Sequence, residues 1–149
     1  SPQMLLRFWQ DVVALHPKAV HIMAGTNDIA GNTGPTTLRN IQANIESMVE
    51  LAATHHVRVV LGSVLPAVQF PWRPEIKPVP EIAELNRWLA AYARRHRIPY
   101  VDYFSAMTDH SAGLRGELTH DGVHPHLAGY AIMERLAEAA ISHASPERR

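Results

Sequence analysis

The hydrophobic positions along the chain follow two patterns, which indicate two kinds of element. Apolar residues recur every three or four positions in four segments, and this spacing predicts helices at residues 2–15, 35–55 and 81–96 and from residue 125 onward. Between them lie short β-rich runs at residues 19–25, 57–66 and 98–104. The first run is continuously apolar rather than alternating, which is typical of a strand buried on both faces of a parallel sheet.

This order of helices and strands predicts an α/β fold. Alternating helices and strands are the signature of right-handed crossovers, so we expect a three-layer α/β/α sandwich around a parallel sheet. We expect residues 1–149 to form a single domain, because the sequence contains no repeat, low-complexity segment or linker. Ligands of such sheets bind beyond the carboxyl ends of the strands. Three loops therefore become candidates: those that follow Gly25 and Ser63, and the one that holds Asp121 and His124.

Composition excludes several classes of function. Fourteen Lys and Arg balance fourteen Asp and Glu, so no net field attracts nucleic acid or an anionic membrane. No apolar stretch is long enough to span a bilayer, so we expect no stable membrane insertion. The chain has no cysteine, which excludes disulfides, thiolate metal sites and cysteine nucleophiles.

The first candidate motif is "GTND", residues 25–28, at the end of the first predicted strand. Gly25 permits a backbone turn that is closed to other residues. The Asn27 amide offers two N–H donors that could stabilise an oxyanion. The alternative is a local turn in which Asn27 and Asp28 only bond the nearby backbone.

The second motif is "DGVHP", residues 121–125, just before the last predicted helix. As catalytic machinery, Asp121 would orient the ring of His124, which would then act as a general base on a hydroxyl nucleophile. As a metal site, Asp121, His124 and His126 could bind zinc, with His120 nearby. As a structural feature, Asp121 would cap the helix and His124 would lie on the surface. Pro125 suits the first position of that helix.

Other polar and aromatic residues have simpler interpretations. His21 lies in a predicted buried strand and is expected to be a core histidine with a satisfied ring. Asp102 ends a strand and could accept structural hydrogen bonds. Trp72 and Arg73 lie in a proline-rich loop, where they either contact substrate or anchor the loop.

"GTND" followed by "DGVHP" resembles the GDSL-type SGNH hydrolases, which are serine esterases on a flavodoxin-like α/β sandwich. "LGSVLP", "IAELNRWLAAYA", "YVDYF" and "DGVHPHLAGYAIM" are similar to the bacterial acylhydrolase branch of that family. The resemblance covers essentially the whole chain.

The resemblance implies a role for each matching residue. Asn27 would be an oxyanion-hole donor, Asp121 the orienting acid and His124 the general base, while Gly25 would support the turn that presents Asn27. It also implies that the substrate is a small acyl or acetyl ester, a lysophospholipid or an acetylated sugar, and that neither cofactor nor metal is needed. The location stays unassigned, with a lean towards a secreted or periplasmic protein.

One departure from the family concerns the nucleophile. The family takes its serine from a "GDS" motif after its first strand, and these residues contain no such motif. We expect the first two strands of the family fold to be missing from this chain and the nucleophile to lie upstream of Ser1. Ser63 lies near the carboxyl end of a predicted strand, where the resemblance implies a structural or pocket-lining position. Ser105 and Ser111 lie in the late loop with no motif around them, and Ser1 could act only by an unrelated mechanism.

The missing segment has a structural implication as well. Without the family's first strand, the strand at residues 19–25 would expose an unpaired edge. We therefore expect the N-terminal segment to be supplied by a longer protein, a separate chain or a swapped partner. The alternative function is a noncatalytic ligand-binding or interaction domain that keeps the fold and lacks a nucleophile.

Overall fold

A computed structural model of the protein describes residues 1–144. Residues 145–149, which the predicted single domain also includes, lie outside the described residues. The helices are α1 (Pro2–Asp11), α2 (Thr26–Ile29), α3 (Leu38–Thr54), α4 (Val79–His96), α5 (Tyr103–Met107) and α6 (Leu127–Ala144). The strands are β1 (Ala19–Ile22), β2 (Arg58–Gly62) and β3 (Tyr100–Val101), and two short 3-10 turns cover Val13–Leu15 and Gly116–Leu118.

The three described strands form one parallel sheet in the order β1-β2-β3. Ala19 pairs with Arg58, and Leu61 pairs with Tyr100. The long helices α3 and α4 each connect one strand to the next, as parallel crossovers require. The predicted α/β class with a parallel sheet is confirmed. Within the described residues β1 is an edge strand, since it pairs with β2 alone.

Strand β2 separates two hydrophobic cores because its successive side chains point to opposite faces. Val59 and Leu61 belong to one core, and Val60 belongs to the other. The first core takes its side chains from α1, α3 and α4, as the helical spacing predicts; its members from α3 and α4 include Ile41, Ile45, Met48, Ile82, Leu85 and Leu89. The second core takes side chains from α5 and α6, so helices cover both faces of the sheet.

Several predicted boundaries differ from the structure. The first helix ends at Asp11 and passes into a 3-10 turn, after which His16 takes a left-handed conformation with φ of 49°. Helix α5 begins at Tyr103, inside the run predicted as a strand at residues 98–104, and extends into the predicted loop; its N-cap Asp102 accepts a hydrogen bond from the Ser105 N–H at 3.0 Å. Asp102 is therefore a structural acceptor. Ile141, near the end of α6, is 39% exposed.

None of the described helices is long and apolar enough to cross a membrane.

Candidate active site

Asp121 and His124 lie together in the loop that precedes α6. Oδ2 of Asp121 is 2.6 Å from Nδ1 of His124, and Oδ1 accepts the backbone N–H of His124 at 2.8 Å. The carboxylate thus holds both the ring and the backbone of the same histidine. Because Nδ1 is committed to Asp121, Nε2 is the ring nitrogen that remains for proton transfer.

The backbone around this pair is fixed by Thr119. Its hydroxyl donates to the carbonyl oxygen of His124 at 2.8 Å and accepts the N–H of Gly122 at 3.0 Å. Gly122 has a φ of 80°, which brings the chain back on itself within one turn. Sequence reasoning missed Thr119, although a threonine hydroxyl that bonds the backbone two residues on, as Thr119 does with the Asp121 N–H at 3.3 Å, is a known turn motif.

The helix-capping interpretation of Asp121 is wrong. Helix α6 begins at Leu127 rather than Pro125, and Pro125 instead forms an isolated antiparallel bridge with Thr119. The side chain that bonds the first turn of α6 belongs to His126, whose Nδ1 accepts the Ala128 N–H at 3.2 Å. The carboxylate of Asp121 therefore bonds His124 and the backbone of its own loop rather than the helix.

The surroundings of Asp121 favour its ionised form. The hydrogen bond from the His124 side chain lowers the pKa of Asp121 well below its usual range, and the backbone N–H groups of His124 and Val123 act in the same direction. The small burial of the carboxyl opposes this shift and is outweighed. Asp121 is thus ionised at any pH at which a histidine can act as a general base.

Gly25 shapes the loop that follows β1. Its φ of 136° is open only to glycine, and a Cβ there would lie 2.7 Å from Leu85 Cδ2 and 2.8 Å from Val64 Cγ2. No side chain fits between the strand end and α4. The chain therefore turns at Gly25 into the short helix α2, which carries Asn27 and Asp28.

Asn27 and Asp28 have different environments. Asp28 is 3% exposed and accepts a hydrogen bond from the Ser1 hydroxyl at 2.8 Å, while Asn44 of α3 donates to that hydroxyl at 3.0 Å. Asp28 therefore anchors the loop to α1 and α3. Asn27 is exposed, and its Oδ1 accepts a hydrogen bond from Nδ2 of Asn32 at 2.8 Å. The alternative in which both side chains bond only the nearby backbone does not describe this loop.

One cavity connects the two motifs. It has a volume of about 530 Å³, and its lining includes Gly25, Asn27 and Asn32 from the first loop and His124 from the last. Leu65, in the loop after β2, also lines it. The structure thus brings all three predicted loops to the same edge of the sheet, with Gly25, Asn27 and His124 facing a common space.

Trp72, which is not among the residues that line the cavity, contacts both His124 and Asn32. Its ring stacks on the His124 imidazole, with centroids 5.6 Å apart and planes at 29°, and on Phe70 at 5.5 Å and 27°. Its Nε1–H donates to Oδ1 of Asn32 at 2.9 Å. Trp72 is 41% exposed, so it is neither buried nor a free surface side chain.

The loop after β2 is held by residues that sequence reasoning did not assign to the site. Asn86 of α4 accepts the Val64 N–H at 2.7 Å and donates to the Val64 carbonyl at 3.0 Å. Ser63 is fully buried, and its hydroxyl accepts the Phe104 N–H at 2.8 Å. An Asn inside the sequence "AELNRW" of a predicted amphipathic helix was the available signal, since an amide on a core-facing side requires a polar partner.

The four serines considered as nucleophiles share one property: each hydroxyl bonds a group other than His124. In residues 1–144, none of the serine hydroxyls bonds the His124 ring. The pairs are Ser1 with Asp28, Ser63 with the Phe104 N–H, Ser105 with Asp102, and Ser111 with Asp109.

The metal interpretation finds no ligand set. Within the part of the chain that the structure describes, no group of three or more His, Cys, Asp or Glu side chains could hold a metal ion. His120 and His126 contact each other, with ring centroids 4.7 Å apart.

His21 is half-buried beside the Tyr103 hydroxyl at 3.2 Å, and burial lowers its pKa, as expected for a core histidine.

The fold and the paired loops define a class of protein: an α/β sandwich with its polar site at the carboxyl edge of a parallel sheet. The model of the GDSL-like lipase/acylhydrolase family matches residues 1–132. The chain belongs to this family. A comparison with curated proteins gives no match.

Solved structures of the same type confirm the fold. A GDSL-like lipase from Bacteroides thetaiotaomicron is 47% identical with a TM-score of 0.93, over 97% of this chain and 71% of that one. A candidate acylhydrolase from Bacteroides fragilis is also 47% identical with a TM-score of 0.93, over 95% and 69%. An acetylxylan esterase from Geobacillus stearothermophilus shares the fold at 22% identity and a TM-score of 0.74, over 94% and 66%.

Proposed function

We propose that this chain carries the general base, its orienting acid and one oxyanion donor of a serine ester hydrolase. The observation that carries the proposal is the 2.6 Å contact between Asp121 Oδ2 and His124 Nδ1, in a cavity that Asn27 also lines. The nucleophilic serine is expected upstream of Ser1, or on a separate or swapped chain. Membership of a hydrolase family supports this assignment.

The proposed reaction has two halves, acylation and deacylation, and both use the same residues. The serine hydroxyl attacks the ester carbonyl while Nε2 of His124 takes its proton, and Asp121 stabilises the imidazolium through Nδ1–H. The Asn27 amide donates to the oxygen that becomes negative in the tetrahedral intermediate. His124 then protonates the departing alcohol, which leaves an acyl-enzyme. Water repeats the sequence, releasing the carboxylic acid and restoring the serine.

The substrate class we propose is a small acyl or acetyl ester. A cavity of about 530 Å³ falls within the roughly 300–1,000 Å³ of small-molecule sites. The protein of the same fold from Geobacillus stearothermophilus is an acetyl-xylooligosaccharide esterase. Acetyl esters are therefore the first substrates to test. Neither a cofactor nor a metal takes part in this scheme.

Two comparisons support a serine mechanism: one leaves room for a nucleophile outside these residues, and the other concerns the catalytic pair. The chain covers 71% of the lipase from Bacteroides thetaiotaomicron, so that protein has further residues with no counterpart here. In the acetylxylan esterase, a serine-to-alanine and a histidine-to-alanine change each give what is described as a catalytic mutant. The fold can therefore carry catalysis by a serine and a histidine.

The test is hydrolysis of p-nitrophenyl acetate by the full-length protein and its variants. We expect His124→Ala to lower kcat/KM by at least about 10³-fold, because the serine loses its base. His120→Ala is the matched control, since His120 lies in the same loop and does not line the cavity. Unchanged hydrolysis by His124→Ala would contradict the proposal. A wild-type protein that hydrolyses no ester would favour the noncatalytic binding domain.

A further inference from the structure

Trp72, Asn32 and Asn27 form a line of hydrogen-bonded side chains. The line begins at the indole beside the proposed base, His124, and ends at the proposed oxyanion donor, Asn27. Trp72 donates to Asn32 at 2.9 Å, and Asn32 donates to Asn27 at 2.8 Å. Asn27 lies on α2 and Asn32 shortly after it, whereas Trp72 lies 40 positions along the chain from Asn32, in the loop before α4. All three are exposed, so packing alone does not fix their orientations.

The chemistry of the first member sets the direction of the whole line. An indole N–H can only donate, so the atom that Asn32 presents to Trp72 must be its carbonyl Oδ1. The Nδ2 of Asn32 is then the group left to face Asn27, and it too can only donate. Asn27 must therefore accept with Oδ1. This leaves the Asn27 Nδ2, with its two N–H groups, for another acceptor.

We infer that Asn32 and Trp72 are positioning residues. They fix the orientation of the Asn27 amide so that its N–H groups are free to donate to the oxyanion. The inference rests on the proposed function. An amide without such a constraint can rotate and present its oxygen instead, which would repel a developing negative charge. Because the Trp72 ring also stacks on His124, the same side chain contacts the base and, through Asn32, orients the Asn27 amide.

A double-mutant cycle in the full-length protein tests the first link. We expect Asn32→Ala to lower kcat for p-nitrophenyl acetate by about 10- to 100-fold and to change KM less than about twofold, because the oxyanion exists only after attack. In an Asn27→Ala background the same change should cost less than about twofold, since the amide it orients is gone. A general loosening of the loop would instead lower activity equally in both backgrounds.

The second link is tested by Trp72→Phe, which keeps a ring beside His124 and removes the N–H donor. We expect kcat to fall by about three- to tenfold, and we expect no further fall when Asn32→Ala is already present. Trp9→Phe is the matched control. Trp9 is an exposed tryptophan of α1, 58% accessible, and its ring makes an edge-to-face contact with His55. This variant should keep wild-type kcat.

The outcomes separate this inference from the proposed function. If Asn27→Ala and His124→Ala keep full activity, the proposed function itself fails. If both lose activity while Asn32→Ala keeps its kcat, only the positioning role is overturned. Losses that are the same with and without Asn27, or that appear in KM alone, overturn it as well. Thermal melting of each variant shows that the compared proteins are folded.

Discussion

The carboxylate of Asp121 holds His124 at two points, with Oδ2 2.6 Å from the ring Nδ1 and Oδ1 accepting its backbone N–H at 2.8 Å. Replacing the charge by an amide in Asp121→Asn should keep the loop but lose the correct orientation and tautomer of the ring. We expect kcat of the full-length protein to fall by about 10²- to 10⁴-fold. Steady-state kinetics on p-nitrophenyl acetate measures it, and a loss below tenfold would contradict the orienting role.

The same contact predicts how stability depends on pH. The pKa of Asp121 is lower in the folded protein, so its stabilising effect is present above the unfolded pKa of about 3.9. It is lost as the pH falls through the lower, folded pKa. The difference in melting temperature between wild type and Asp121→Asn should therefore be full at pH 7 and begin to shrink below about pH 4. A difference that grows on acidification would refute this.

Gly25 is required both by its backbone and by its surroundings. Gly25→Ala forces a Cβ to within 2.7 Å of Leu85 Cδ2 at a φ of 136°. We expect the free energy of unfolding to fall by about 2–5 kcal/mol in denaturant titration. Gly116→Ala is the control, because a Cβ at Gly116 would meet no atom within 4 Å and the φ of Gly116 is not positive. Equal effects of the two substitutions would show that Gly25 is an ordinary loop residue.

Replacement of Ser63 tests whether this buried serine has a structural role or is the nucleophile. Ser63→Ala leaves the Phe104 N–H without its 2.8 Å acceptor in a buried position, which should lower the free energy of unfolding by about 1–3 kcal/mol. Its kcat per folded molecule should stay within about twofold of wild type. Ser105→Ala removes an exposed hydroxyl bond to Asp102 but keeps the backbone N–H that Asp102 accepts at the start of α5, so it should lower the free energy of unfolding by less than about 1 kcal/mol. An inactive but folded Ser63→Ala protein would make Ser63 the nucleophile.

The layers of the fold could be predicted from the sequence because each depends on local periodicity. Ile41, Ile45 and Met48 recur at helical spacing, and all three are buried against the sheet. The boundaries were less predictable. α5 depends on a cap between Asp102 and Ser105, and α6 starts two residues late because Pro125 bridges to Thr119 instead. Such side-chain and bridge contacts leave no periodic signal.

The candidate site divides in the same way. Asp121 and His124 are three residues apart, so one turn can join them, and their pairing was predictable. Asn32 and Trp72 were not, because their contact joins loops whose separation in space only the fold determines. Asn86 is similar: its bonds to Val64 depend on how α4 packs on the end of β2.

The central claim is that His124 serves a serine outside residues 1–149. Labelling the full-length protein with a fluorophosphonate, followed by peptide mass spectrometry, tests it most directly. We predict one adduct on a serine upstream of Ser1, with labelling that is much slower in His124→Ala and normal in His120→Ala. An adduct on Ser1, Ser63, Ser105 or Ser111, or labelling that does not depend on His124, would contradict the account.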